Sequence, residues 1–326
     1  MIQNVLIPMV LGFAVFMCGM KLMELALHRA AGSYLNRILE RSTATPIHSL
    51  AAGTLTTAFL QSSTAVTVIA IGMVNTGLLT FGRTLGIILG TNIGTCITTE
   101  IIGLQLSKLS LPLLIVSLAL WLTTALIHEF RLLPSAANAR WVDPARTISV
   151  VLGGFALLLT GMAMMQSVGP AVQQSGMFDW FLAKAGESLW WGLLAGAALT
   201  AAVHSSAAVI GIIMGFAALG AMPLELGIAV VLGANIGTCA TALLASLGGT
   251  KAGQFVALSH VALNVGGALL FMPFIHELTL LSDWLSHSPS SQIARAQTLF
   301  NVLSSFIALP ICYLPQLRER EKIAKA

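Results

Sequence analysis

Charge is scarce in this chain. Of 326 residues only 16 are lysine or arginine and 12 are aspartate or glutamate, 9% together, against about 25% in a soluble domain. With 56% hydrophobic residues, that scarcity excludes a water-soluble enzyme and indicates an integral membrane protein. Cysteine is sparse too: Cys18, Cys96, Cys239 and Cys312 lie in apolar segments without CxxC or metal-ligand spacing, which leaves small apolar packing as their role. The opening MIQNVLIPMV has neither the basic run nor the small-residue cleavage site of a secretory signal, so it reads as part of a retained first span. No soluble domain is expected at either end. The basic residues behind the net charge of +4 are scattered between apolar segments, which argues against nucleic acid and for topology signals.

What the chain does have is a duplication. Gly53–Thr98 and Gly196–Thr241 align without a gap at an offset of 143, with 18 of 46 positions identical. The shared positions are small and polar: Ser62/Ser205, Ser63/Ser206, the N-I-G-T-C runs from Asn92 and Asn235, and glycines such as Gly72, Gly77, Gly90 and Gly94 with their partners. Helices kept only for packing would preserve hydrophobicity and let polar residues drift. The similarity extends outward, since GFAVFMCGMKLM from Gly12 resembles GFALLLTGMAMM from Gly154, and Ile127-His128-Glu129 recurs as Ile275-His276-Glu277.

Gly53–Asn75 is long enough to span a bilayer, but Gln61-Ser62-Ser63-Thr64 occupy its middle. The alternative is a re-entrant hairpin, tolerated at that depth only where protein or a water-filled cavity satisfies its backbone. Charge decides between them. With hairpins and an outside N-terminus, the spans are 2–27, 84–106, 110–127, 147–168, 225–247, 254–275 and 296–315. Only Lys108, Lys184 and Arg295 of the 16 basic residues are then outside, a split of 13 to 3; with full spans instead it is 11 to 5. The positive-inside rule favours hairpins. Each repeat then crosses three times, so the second copy is inverted.

The expected fold is therefore an all-α integral membrane protein of inverted-topology repeats, each with a re-entrant helical hairpin, with about seven full spans plus two hairpins. Residues 1–146 form the first unit with its cytoplasmic connector, 147–280 the second, and 281–326 a last span and basic tail. Lys21 and Glu24 read as an interfacial ion pair, and Pro46 ends the polar connector. His260 and Asn264, one helical turn apart, and Asn301 in the last span either tie helices together or belong to the site.

Between Gly53 and Thr99 the only charged residue is Arg83, and between Ser188 and Gly249 it is Glu225. A carboxylate proton relay and a Lys/Arg anion clamp are thereby excluded. A helix beginning at a hairpin tip does offer unpaired N–H groups and a positive dipole end to an anion. Two such tips from opposite leaflets, Gln61-Ser62-Ser63-Thr64 and His204-Ser205-Ser206, could share one tetrahedral oxyanion. The runs Gly90–Thr95 and Gly233–Thr238 read as mid-span unwindings that make each of these helices discontinuous. Freed carbonyls with Thr91, Asn92, Thr95, Asn235 and Thr238 would coordinate a small hard cation, near the midplane at the repeat interface. Bringing a divalent anion inward against about 100 mV costs about 4.6 kcal/mol, which two monovalent cations would cancel.

Gln61-Ser62-Ser63-Thr64 followed by Gly90-Thr91-Asn92-Ile93-Gly94-Thr95, together with the second copies, resembles the paired signatures of the type II sodium/phosphate cotransporter family, bacterial branch. Leu299-Phe300-Asn301 is similar to its late LFN motif. The resemblance implies sodium-coupled symport of inorganic phosphate, with Gln61, Ser62, Ser63, Asn92, Thr95, Ser205, Ser206, Asn235 and Thr238 binding phosphate and sodium. It implies sodium as co-substrate rather than a cofactor, no enzymatic activity, and a multi-pass protein of the inner (plasma) membrane, whose C-terminus the charge split already puts on the cytoplasmic side. Lipid is a partner; an oligomer is left open. The family pattern reads Q-S-S-S in both copies, whereas this chain has Q-S-S-T and H-S-S-A, so His204 brings a titratable ring and Ala207 lacks a hydroxyl. A transporter of another small anion such as a carboxylate, or a passive anion channel, would suit the same tips. A serine nucleophile activated by His204 is disfavoured, because adjacent helix residues point about 100° apart and no acid lies near to orient the ring.

Overall fold

The computed structural model describes residues 5–31, 34–128, 141–168, 170–171, 176 and 179–317. Arg131 and Arg140, which belong to the 13 basic residues on the cytoplasmic side, Glu129 of the recurring Ile-His-Glu run and the tail from Arg318 lie outside the described residues, as do the side chains of His128 and Lys184. Among the described residues all regular structure is helical. In order the helices are α1 (Ile7–Ala31), α2 (Tyr34–Ser42), α3 (Pro46–Leu60), α4 (Ser63–Asn75), α5 (Phe81–Gly103), α6 (Ser110–His128), α7 (Val142–Ser167) and α8 (Asp179–Glu187). They continue with α9 (Trp190–Val203), α10 (Ser206–Ala218), α11 (Leu224–Gly237), α12 (Cys239–Ser246), α13 (Lys251–Phe271), α14 (Ile275–Leu285) and α15 (Pro289–Ala308). Seven segments are long and apolar enough to cross a bilayer: 7–31, 81–103, 106–127, 142–167, 224–246, 251–285 and 289–313. They correspond one to one with the seven expected spans, but the first starts five residues later than expected, the seventh starts seven earlier, and the sixth runs on past Pro273 through a 3₁₀ turn into α14. This is an all-α, multi-pass membrane protein.

Two compact units cut across the sequence repeats. In one, α1 and α7 pack antiparallel through small residues. A Cβ on Gly12 would clash with Met164 and Gly161, and one on Gly19 with Leu157 and Gly154. Since Gly12 corresponds to Gly154 and Gly19 to Gly161 in the duplication, each glycine meets the repeat partner of the other, as a local two-fold requires. Close approach of this kind drives helix association in lipid. α6 joins them, with Ser117 Oγ donating to Ser149 O at 2.7 Å.

The other unit holds both hairpins. Thr45 caps α3, accepting from His48 N, and Pro46 fills the first turn where no N–H is needed. With 15 and 13 residues, α3 and α4 are about 22 and 20 Å long, too short for a hydrocarbon core of about 30 Å. Contacts fix their path. Gly86, Gly90 and Gly94 of α5 lie directly against Pro46, Leu50 and Thr54 of α3, so those helices run parallel. Ile71 and Val74 of α4 return to a cluster with Phe81 and Leu85 at the start of α5. The chain thus enters and leaves beside the same end of α5, as expected for a re-entrant hairpin.

The second copy repeats this register. Gly233 and Gly237 of α11 lie against Leu193 and Ala197 of α9, and Gly192 against Leu226 and Ala229. Its direction is reversed. At the C-terminal end of α5, Gly103 meets Met214 of α10 and Ala294 of α15, whereas Ala242 of α12 joins Ile71, Val74 and Phe81 at the other end. The ends of α13 and α15 agree: Thr250 Oγ1 donates to Asn75 Oδ1 at 2.5 Å beside the start of α13. Ser290 Oγ donates to Met214 O and Ser291 Oγ to Gly103 O, both at 2.7 Å, beside the start of α15. The repeats are inverted.

One expectation is corrected. Gly90–Thr95 does not unwind: α5 is a single helix from Phe81 to Gly103. In the second copy the interruption is confined to Thr238, which keeps right-handed helical torsions (φ −61, ψ −24). The glycines are spent on close approach of the hairpin backbone, and Thr91 and Thr95 tighten the helix by donating to Ile88 O (2.7 Å) and Thr91 O (2.8 Å). The carbonyls of that run stay in the helical ladder, so the carbonyl-based cation site has no basis there.

Candidate functional site

Both hairpins reverse by the same two-residue device. Gln61 (φ 55, ψ 28) and His204 (φ 58, ψ 26) adopt the left-handed conformation, and Ser62 (φ −145, ψ 99) and Ser205 (φ −149, ψ 106) are extended. A non-glycine residue there stores strain of about 1–3 kcal/mol, so its appearance at equivalent positions of two copies marks a built feature. Gln61 N donates to Thr57 O and His204 N to Thr200 O, each at 2.8 Å. The serine hydroxyls then cap the returning helices, Ser62 Oγ accepting from Ala65 N and Ser205 Oγ from Ala208 N at 3.3 Å. Ser–Ser is thus explained locally: the first serine caps, and the second, Ser63 or Ser206, opens a helix whose other first-turn N–H groups lack intrahelical acceptors. Those N-termini carry about half a positive charge each.

The two tips differ beyond this shared frame. Gln61 is braced on both sides: Thr98 Oγ1 donates to its Oε1 at 2.7 Å, and its Nε2 donates to Ala58 O. His204 is exposed, and Thr241, the counterpart of Thr98, donates to Thr238 O of its own helix. Ser62 and Ser206 are buried, while Ser63, Thr64 and Ser205 are half-buried.

The remaining candidates form a polar seam through the helices behind the tips. Asn92 Nδ2 donates to Asn264 Oδ1 at 2.7 Å, and Asn264 Nδ2 contacts Cys239 Sγ at 3.1 Å. Asn301 Nδ2 contacts Cys96 Sγ at 3.2 Å. Cys96 and Cys239 are repeat partners, so α15 meets α5 as α13 meets α12. The cysteines, read from sequence as packing only, are also the partners of these asparagines. Asn235 Nδ2 donates to Val231 O (3.0 Å) and Thr238 Oγ1 to Asn235 O (2.6 Å), both within their own helix. His260 is 4% exposed, with neither ring nitrogen partnered among the described residues.

Sequence reasoning missed a charged pair. Glu100, one residue past the Gly53–Thr99 stretch, forms an ion pair with Arg295 and accepts from Thr298 Oγ1 at 2.6 Å. Both partners lie on α15, so α5 and α15 are joined along their length by Ser291, Arg295, Thr298, Asn301 and Ser305, the last donating to Leu89 O at 3.1 Å. At the outer ends, Arg83 binds Thr43 and the Glu40 carbonyl, and Glu225 Oε1 lies 3.0 Å from His276 Nδ1. No cluster of three or more His, Cys, Asp or Glu suited to a metal occurs among the described residues. The tip side chains themselves are hydroxyls and an amide, with the exposed His204 imidazole at the second tip.

Inverted repeats, paired re-entrant hairpins and uncharged tips with strained reversals together define a membrane transporter. The chain belongs to the Na+/Pi-cotransporter family: the family model matches residues 15–167 and again 157–286. It is 35% identical over 300 residues to the uncharacterized protein YqeW of Bacillus subtilis, covering 92% of both chains. It is 26% identical over 298 residues to the provisionally named inorganic phosphate export protein YjbB of Escherichia coli, covering 91% of this chain and 52% of that one. Over 102 residues, 30% of this chain and 16% of the relative, it is 34% identical to the sodium-dependent phosphate transport protein 2A of Rattus norvegicus. The chain therefore spans about half the length of YjbB. No solved structure matches it. The family is one of transporters of phosphate and sodium rather than of enzymes.

Proposed function

We propose that the protein is a secondary transporter that couples inorganic phosphate to sodium in symport, binding the anion between the two hairpin tips near the bilayer midplane. The observation that carries this reading is the duplicated tip: the same left-handed residue, extended serine and capped helix start at Gln61–Ser63 and at His204–Ser206, in oppositely directed copies. Each hairpin also leans on the other repeat, α10 on α5 and α4 on α12 and α13, an arrangement suited to tips that act together. Ser62, Ser63, Thr64, Ser205 and Ser206 and the first-turn N–H groups of α4 and α10 are the proposed phosphate donors. Gln61 and His204 set the turns. Asn92, Asn264 and Asn301 hold the seam against which the tips work.

A protein without fixed charge at its tips binds a divalent anion through dipoles and hydrogen bonds, and moving that anion inward against about 100 mV costs about 4.6 kcal/mol. Co-transported sodium offsets the cost. Arg83 and Lys251 lie at one end of the hairpin unit, at the starts of α5 and α13, and Arg295 lies toward the other. That polarity supports an orientation in the plasma membrane with the first end cytoplasmic; the choice of membrane rests on the transporter reading.

The test is radiolabelled phosphate flux into proteoliposomes under an imposed sodium gradient. Symport requires phosphate accumulation that collapses when choline replaces sodium; equal flux in both would assign a sodium-independent pathway. Competition by a dicarboxylate stronger than that by arsenate would redirect the substrate assignment.

A further inference from the structure

Thr57 and Thr200 are repeat partners, the same distance before the two tips, at the last turn of α3 and α9. Both are buried, at 1% and 0% exposure, and in both the Oγ1 has no hydrogen-bond partner among the described residues. Threonines around them behave otherwise. Thr54, Thr91, Thr95 and Thr238 each donate to a carbonyl of their own helix at 2.6–2.9 Å. A buried hydroxyl without a partner costs about 1–3 kcal/mol, and here the same orphan occurs twice.

Each orphan faces the N-I-G-T run of its own repeat. A Cβ built on Gly94 would stand 2.7 Å from Thr57 Cβ, and one on Gly237 2.6 Å from Thr200 Cβ. The main-chain oxygens of Thr57 and Thr200 are already taken by the N–H groups of Gln61 and His204. The other carbonyls of the last turn have no helical N–H to follow them.

We propose that Thr57 and Thr200 supply the hydroxyl ligands of two equivalent sodium sites, one behind each hairpin tip; this rests on the symport reading. The polarity of the half-helices selects the sign of the ligand. α3 and α9 present their negative, C-terminal ends here, whereas the positive ends at Ser63 and Ser206 lie across the turn. A neutral ligand set of hydroxyl and carbonyl oxygens suits a monovalent ion, since calcium and magnesium sites draw on carboxylates. One device therefore sorts two charges: the anion on the returning helix, the cation on the entering one, with the strained residue between them.

The test compares Thr57→Val and Thr200→Val with Thr57→Ser and Thr200→Ser in the full chain. Two quantities are read: the sodium dependence of phosphate flux in proteoliposomes, and thermal stabilisation of the purified protein by sodium chloride relative to choline chloride. Each valine variant is expected to raise the half-saturating sodium concentration tenfold or more in both, and each serine variant to stay within threefold of the parent. Should a valine variant fail to fold, the alanine variant carries the same expectation. Valine variants within twofold of the parent overturn the assignment of the threonines while leaving symport standing. A parent protein that responds to sodium in neither measurement overturns the symport reading and these sites with it.

Discussion

Thr98 Oγ1 of α5 donates to Gln61 Oε1 at the tip of the first hairpin, 2.7 Å away, while the equivalent Thr241 bonds to its own helix instead. The first tip is thus braced and the second is not. Thr98→Val removes a hydrogen bond worth about 1 kcal/mol, and half-saturation for phosphate flux is expected to rise about fivefold. Thr241→Val is expected to leave it within twofold. Flux measured against phosphate concentration checks both.

The Glu100–Arg295 pair joins α5 to α15, with side-chain exposures of 21% and 38%. Removing one partner of a fully buried pair costs about 3–5 kcal/mol, and partial exposure reduces that. Glu100→Gln and Arg295→Met are each expected to lower the melting temperature by several degrees. The double variant, which leaves no unpaired charge, should recover part of the loss. A double variant less stable than both singles would contradict this account of the pair.

Glycine substitutions separate packing from helix propensity. Gly90→Ala and Gly233→Ala drive a methyl into the backbone of Leu50–Thr54 and Leu193–Ala197 and are expected to cost about 1–3 kcal/mol through overpacking. Gly72→Ala, where nothing lies within 4 Å of the new methyl, is expected to be neutral or to stabilise α4 by up to about 1 kcal/mol. Thermal unfolding of the detergent-solubilised variants makes the comparison.

The glycines also mark the limit of what the sequence alone could tell. Spans and hairpins were legible because lipid imposes long apolar runs and places arginine on one side, and because Gln61-Ser62-Ser63-Thr64 is too polar for the middle of a crossing. Gly86, Gly90 and Gly94, four apart, fit an unwound segment as well as a groove for another helix. The deciding partners, Pro46, Leu50 and Thr54, are visible only once the hairpin is folded back. Glu100 and Arg295 are separated by 195 residues, so neither advertises the other. The orphan hydroxyls of Thr57 and Thr200 carry no sequence signal apart from their identity across the duplication.

The most direct measurement is the stoichiometry of phosphate binding to the purified protein by equilibrium dialysis, for the parent and for Ser63→Ala and Ser206→Ala. If the inverted tips form one cradle, one phosphate binds per chain, and either substitution alone weakens it about fivefold or more. Two phosphates per chain, or a variant of one tip that binds phosphate as the parent does, would contradict a shared site.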